Sequence, residues 1–316
     1  MKHFFIITNH EKDPQLAQTG RICRWLEERG CSCVISDSAA LTAGSEPGQH
    51  PARHQAQSPE QRSFGSAVSP AASVSRGYRY TDPARVPEGT ECVLVLGGDG
   101  TLLQAAGDLV NTTCPLLGIN MGKLGYLAEI EMDQAFGALE RVIRDECAIE
   151  QRMMLEGSIC GRDQRREGAL ALNDIVLSRR GRFRVVEFNI YVDDAFLCSF
   201  QADGIIVSTP TGSTGYSLSA GGPIVSPDAS LLMLTAVAPH TISSRPVILP
   251  DHVKITVELG SIGNGAADGA EVNFDGNTIA AIGPGDRVTI RKAANLARLV
   301  RVYHTSFVEI LRRKMN

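Results

Sequence analysis

Asp99 stands among Gly97, Gly98 and Gly100, where the apolar run 93–96 gives way to a helical stretch in "ECVLVLGGDGTLLQAAG", residues 91–107. Glycines let a backbone turn sharply and approach a ligand closely, and a helix start offers unpaired N–H groups to phosphate oxygens. A carboxylate beside bound phosphate is repelled unless it holds a metal or takes a proton from an attacking hydroxyl. Phosphoryl transfer to an alcohol needs such a group, because the nucleophile loses its proton as the phosphoryl arrives. Asp99 is therefore read as the base or metal organiser of a kinase. The competing reading is a tight strand–helix turn with Asp99 as a cap. Two familiar phosphate motifs fail here. A dinucleotide fingerprint would need glycine where Leu103 stands. A Walker A loop would need four residues between its glycines, but "GINMGKL" has three between Gly118 and Gly122, and Leu124 follows Lys123.

A second constellation lies at residues 199–227, "SFQADGIIVSTPTGSTGYSLSAGGPIVSP". From Ser208 to Ser219 every residue is Ser, Thr, Gly or Pro except Tyr216 and Leu218. Short hydroxyls and accessible backbone N–H groups suit a sugar–phosphate ligand, although such composition also marks ordinary loops. His240, in "APHT", is open to either a proton-handling or a structural role. The other histidines have no metal-like spacing. Eight cysteines without a C-x-x-C pair read as buried free thiols of a reducing, cytoplasmic environment, with Cys31 and Cys33 facing one core.

The elements that must position these residues divide the chain. Strand-like "FFIIT", helical "PQLAQTGRICRWLEERG" with Leu16, Ile22 and Leu26 on one face, strand-like "CSCVIS", the strand at 93–96, its helix and "PLLGIN" alternate, as in a parallel sheet with right-handed crossovers. Residues 42–89, rich in Ser, Ala, Pro, Gly, Gln and Arg, read as a flexible insertion. After the amphipathic helix "DQAFGALERVIRDE", short strand-like runs follow one another, with "VDDA" as a hairpin connection. The fold class is thus an α/β domain over 1–147 and a β-rich, sandwich-like domain over 148–302. A C-terminal helix over 303–316, with Ser306 and Glu309 spaced as a capping box, is expected to dock back on the first domain. The 316 residues carry a net charge of −4 and no apolar run of membrane-spanning length, which argues against nucleic acid and membrane as partners.

"GGDGT" at 97–101, "LND" at 172–174 and "DGIIVSTPTGSTGYSLSAGGPI" from Asp203, in that order, resemble the NAD kinase family. "GINMGKLGYLAEI" and "APHTISSRPVILP" extend the resemblance to the whole chain outside 42–89. "GGDGT" alone is shared with diacylglycerol and sphingosine kinases; the Ser/Thr/Gly segment makes the match specific. The resemblance implies a two-domain fold with the site between domains, a likeness to enzymes that phosphorylate the 2′-hydroxyl on the adenosine ribose of NAD with ATP and a divalent metal, Mg²⁺, to give NADP. It implies Asp99 as proton acceptor, with Gly100 beside it and Tyr126 lining the adenine pocket. Asn173 and Asp174 are similar to the pair that grips NAD; Arg184, Asp203, Thr214, Gly215, Tyr216, Ser217, Leu218, Ser219 and Asn277 match nucleotide-contacting positions. It also implies a homo-oligomer, dimer or tetramer, whose neighbouring subunit completes the site. Gly215 stands where the family usually has alanine, and Gln201 where it is often basic. A lipid kinase sharing the glycine–aspartate loop and a silent NADP-binding regulator are the alternatives.

Overall fold

The computed structural model describes residues 1–36, 81, 83–122, 125–161, 165–181, 186–241, 244–260, 269–303 and 305–315. Most of the 42–89 segment and Arg184 lie outside the described residues.

The chain opens with β1 (His3–Thr8), α1 (Ala17–Glu27), β2 (Ser32–Ile35), β3 (Cys92–Gly97), α2 (Asp99–Asp108), β4 (Leu116–Asn120), the short β5 (Ile130–Glu131) and α3 (Ala135–Ile143). Its strands lie in the order β4-β3-β1-β2, all parallel. Alternate residues serve opposite faces: Phe4 and Ile6 join α1 and α3 in one core, and Phe5 and Ile7 join α2 in another. A sheet covered on both sides needs apolar residues at every position, which is why these strands are unbroken hydrophobic runs. Since β1 leads to β2 on one side and β3 leads to β4 on the other, the strand order reverses between β1 and β3. Ligands of open parallel sheets bind in the crevice at the carboxyl ends beside such a reversal.

Then come β6 (Ala148–Cys160), β7 (Arg165–Ala171), β8 (Asp174–Arg179), β9 (Val186–Val192), β10 (Ala195–Ala202) and β11 (Gly204–Ser208). A 3-10 turn (Thr211–Thr214) and the one-turn α4 (Tyr216–Ser219) lead to β12 (Leu231–Val237), β13 (Val247–Pro250), β14 (Ile255–Leu259), β15 (Ala270–Phe274), β16 (Asn277–Ile282), β17 (Arg287–Arg301) and α5 (Phe307–Met315). The antiparallel sheet β13-β12-β11-β8-β15-β16 faces the sheet carrying β9, β14 and β17. Their shared core takes every second residue, such as Ile175 and Leu177, Phe188 and Ile190, Ile205 and Val207, Ile255 and Val257. This is the expected sandwich. The "VDDA" hairpin turns through Asp193 and Asp194, at φ 48° and 68°, the left-handed pair of a two-residue hairpin loop.

The two regions are not separate sheets. β17 is 15 residues long; one end pairs with β14, and Leu299 at the other pairs in parallel with Leu116 of β4. The capping box forms as spaced: the Ser306 N–H donates to Glu309 at 2.9 Å, and the Glu309 N–H donates to Ser306 Oγ at 3.2 Å. In α5, Ile310 is buried and the Lys314 ammonium lies 5.3 Å from the centre of the Tyr126 ring.

One close approach carries consequences for the site. A Cβ at Gly157 of β6 would stand 2.6 Å from the Phe274 ring, so only glycine lets that ring seat. Gly157→Ala is therefore expected to destabilise the fold by about 1–3 kcal/mol through overpacking, measured as a lower denaturant midpoint at unchanged slope.

Candidate functional site

β3 delivers Asp99 to the carboxyl edge of the parallel sheet, and α2 starts at that residue. Thr101 fixes the turn: its hydroxyl accepts from the Asn9 side chain at 3.2 Å, which ties the ends of β1 and β3 together. Gly97 leaves the space that the Thr101 side chain fills. The Asp99 carboxylate accepts three consecutive backbone N–H groups, Tyr126 at 2.7 Å, Leu127 at 3.3 Å and Ala128 at 3.0 Å. Any side chain at Gly125 would collide with this carboxylate. An ionised carboxylate has about four lone-pair positions, so about one remains for a ligand. Asp99 opens onto a cavity of about 560 Å³, lined also by Gly100, Gln104, Asp275 and Asn277.

Asp275 was not among the candidates from sequence. It sits at φ 47°, just past β15. Its carboxylate accepts the N–H groups of Leu172 at 2.6 Å, Asn173 at 2.8 Å and Asp174 at 3.1 Å, and so repeats the arrangement around Asp99. Burial raises its pKa to about 6 against the pull of those three donors. Burial, and then the Asp275 carboxylate, push Asp174 to about 7. Asn173 Oδ1 is buried with no hydrogen-bond partner. An unpaired buried acceptor costs about 1–3 kcal/mol, which a ligand's N–H or O–H would offset.

The Ser/Thr/Gly segment packs onto this pair. Thr209 donates its hydroxyl to the Leu172 carbonyl at 2.6 Å and its N–H to Asn173 at 2.9 Å. A methyl group at Gly212 would overlap the Asn173 carbonyl. Gly215 faces the pair too: a Cβ there would lie 3.4 Å from Asn173 Nδ2 and 3.7 Å from Asp174 Oδ2. Alanine at 215 would thus touch both residues.

Thr214 and the Tyr126 side chain line a second cavity of about 420 Å³, beside Arg152, Thr211, Arg301 and Phe307. The Tyr126–Asp99 hydrogen bond joins a residue of one cavity to a residue of the other. Beneath the second runs a chain of charges that sequence reading missed: Glu129 to Arg301, Arg301 to Glu150, Glu150 to Arg152, and Arg152 to the Thr211 hydroxyl at 3.1 Å.

Not every candidate meets there. Ser217 is fully buried, its hydroxyl 3.3 Å from that of Thr235, while Tyr216, Leu218 and Ser219 are exposed on α4. Asp203 is bonded to Arg179 at 2.7 Å. It lies at the opposite end of β11 from Thr209, about 20 Å away at about 3.3 Å per residue. His240 is exposed after β12 and lines neither cavity.

The raised pKa of Asp174 has a stability consequence. Between its unfolded value of 3.8 and its folded value of about 7, the native state binds the extra proton, so stability falls as pH rises through that window. Asp174→Asn removes this dependence. Its stability relative to the unsubstituted chain should be more favourable above about pH 7 than near pH 4, by up to about 4 kcal/mol, measured by denaturant unfolding. Parallel pH curves for the two proteins would contradict this.

The model of the ATP-NAD kinase N-terminal domain matches residues 4–147, and that of the ATP-NAD kinase C-terminal domain matches 172–302. An NAD kinase of Lachnospira eligens is 37% identical over 100% of both chains, and one of Bordetella pertussis is 40% identical over 76% of this chain and 80% of its own. Among solved structures, a yeast NADH kinase complexed with NADH superposes with a TM-score of 0.77 at 23% identity, covering 99% of this chain and 86% of that one. An NAD kinase from Archaeoglobus fulgidus in complex with ATP gives 0.70 at 20% identity, covering 99% and 98%. With both halves of the chain matched and the Lachnospira eligens relative spanning its full length, this protein belongs to the ATP-NAD kinase family.

Proposed function

We propose that this protein transfers the terminal phosphoryl group of ATP to the 2′-hydroxyl on the adenosine ribose of NAD, giving NADP and ADP. The observation that carries the reading is Asp99, held by three N–H groups with about one lone pair left toward a cavity at the sheet's reversal point. In the reaction the ribose oxygen bonds to the γ-phosphorus and the bond from phosphorus to the ADP oxygen breaks. The hydroxyl proton passes to Asp99. The unpaired Asn173 Oδ1, and the Asp174 carboxyl beside Gly215, supply acceptors for ribose or adenine donors. A purely lipid acceptor would leave these groups unpaired.

A divalent cation fits the donor set. Among the described residues no group of three or more His, Cys, Asp or Glu stands ready to hold one, but Mg²⁺ takes one or two carboxylates and completes its shell with phosphates and water. Asp275 is the second carboxylate on the cavity and would hold it. When bound, the ion neutralises charge on the phosphates.

The exposed Tyr216 and Leu218, and the placing of Asp203 at the far end of β11 from Thr209, support a homo-oligomer in which a neighbouring copy completes the site. No helix among the described residues is long and apolar enough to cross a membrane, and we place the enzyme in the cytoplasm.

Asp99→Asn should keep the fold and lower turnover by about 10²–10⁴-fold, read as NADP formed from NAD, ATP and magnesium; turnover equal to the unsubstituted enzyme would move the proton acceptor elsewhere. Mixing Asp99→Asn with Asp203→Asn under conditions of subunit exchange should restore part of the activity that each lacks alone. Activity no higher than the sum of the two would show that each chain carries a complete site.

A further inference from the structure

We infer that Lys12 is the cation of a polyphosphate subsite, the place where the phosphoryl donor's phosphates rest. The inference deepens the proposed function and rests on it for the identity of the donor.

The position of Lys12 follows from topology. It comes four residues after β1, and Gly98 comes directly after β3, so both stand at the crevice where strand order reverses. Its turn is built rigidly. Asn9, nearly buried, accepts the Lys12 N–H at 3.0 Å on its carbonyl and the Glu11 N–H at 3.0 Å on its side chain. On the other side the buried Asp13 carboxylate accepts both the N–H and the hydroxyl of Thr19 in α1, at 2.9 and 2.8 Å. The backbone that presents Lys12 is therefore fixed on both flanks.

The ammonium lies across two glycines from two different strand ends. A Cβ at Gly98 would stand 2.9 Å from Lys12 Nζ, and one at Gly122, past β4, 3.1 Å from it. A side chain at either position would press on the ammonium and shift it from this seat. Within reach are accessible backbone and open space: Lys12 borders the cavity that holds Asp99 and a second one of about 430 Å³ beyond Gly122.

Charge makes the assignment specific. The described residues around the Asp99 cavity include two carboxylates, Asp99 and Asp275, and Lys12 is their one cation. Among the described residues nothing forms an ion pair with it, whereas Lys254 and Lys292 pair with Asp194 and Asp251. A polyanion entering beside two carboxylates needs a positive partner on the protein. A lysine ammonium is a compact point charge suited to phosphate oxygens.

The test uses inorganic tripolyphosphate as the probe on the full chain, by calorimetry, together with steady-state kinetics in NAD and ATP. In Lys12→Ala, the Kd for tripolyphosphate and the KM for ATP should each rise about 10–100-fold, the loss of one charge-assisted contact. The KM for NAD and the melting temperature should stay put, and Lys12→Arg should recover part of the loss. Tripolyphosphate binding by Lys12→Ala equal to that of the unsubstituted chain would overturn the inference, as would the absence of tripolyphosphate binding in the unsubstituted chain. If the unsubstituted chain binds tripolyphosphate through Lys12 yet forms no NADP, the subsite stands and the assignment of NAD as acceptor falls.

Discussion

Each half of the site hangs on one carboxylate that gathers three consecutive backbone N–H groups: Asp99 holds 126–128, and Asp275 holds 172–174. Buried N–H groups must be paired, and a buried carboxylate must be solvated by something. Each arrangement meets both needs at once, because the donors replace the water that the anion loses. Removing either carboxylate would orphan three donors together, so the two segments cannot drift independently of the acids that hold them. Asp99 thereby fixes the backbone of Tyr126, which lines the second cavity. Asp275 fixes Asn173 and Asp174 with their side chains toward the Gly212–Gly215 turn.

The two carboxylates are brought together by sheets that share a strand. Phe274, seated on Gly157 of β6, anchors the end of β15 from which Asp275 turns. β6 is paired along β17, and β17 reaches β4 in the parallel sheet that carries Asp99. A rigid path of backbone hydrogen bonds and one ring–glycine contact therefore runs from one acid to the other. The site lies between two packing layers yet needs no hinge to be assembled.

This division explains what could be read in the amino-acid order. Asp99 was legible because its setting is local: an apolar strand, glycines and a helix start follow within a dozen residues. The sandwich was legible from two-residue alternation, and α5 from its capping spacing. Asp275 was not, because its partners lie 101 to 103 residues away and an aspartate before glycine looks like any turn. Lys12 was illegible for a related reason: its importance comes from Gly98 and Gly122, which only the sheet order places beside it. In the Ser/Thr/Gly segment, chemistry and scaffolding share one composition. Thr209, Ser213, Ser217 and Thr214 all bond their hydroxyls within the protein, and only position in the fold sets Thr214 apart, at the cavity.

The buried charges beneath the second cavity bear on specificity more than on stability. Arg152 is 4% exposed and Arg301 has a side chain 16% exposed, facing Glu150 and Glu129 in an alternating chain. For Glu129 burial outweighs the attraction of Arg301 and raises its pKa, while for Glu150 the two guanidiniums overcome burial and lower it. Desolvation of such a group offsets much of its Coulomb attraction, so an apolar replacement of similar volume would cost the fold little. What an apolar replacement would lose is direction. Arg152, on β6, donates to the Thr211 hydroxyl and so sets the turn that carries Thr214 against strands belonging to the other sheet. The chain of charges aligns the turn that carries Thr214 with β17, the same strand that joins the two carboxylates, and the geometry of both cavities is set along that one strand.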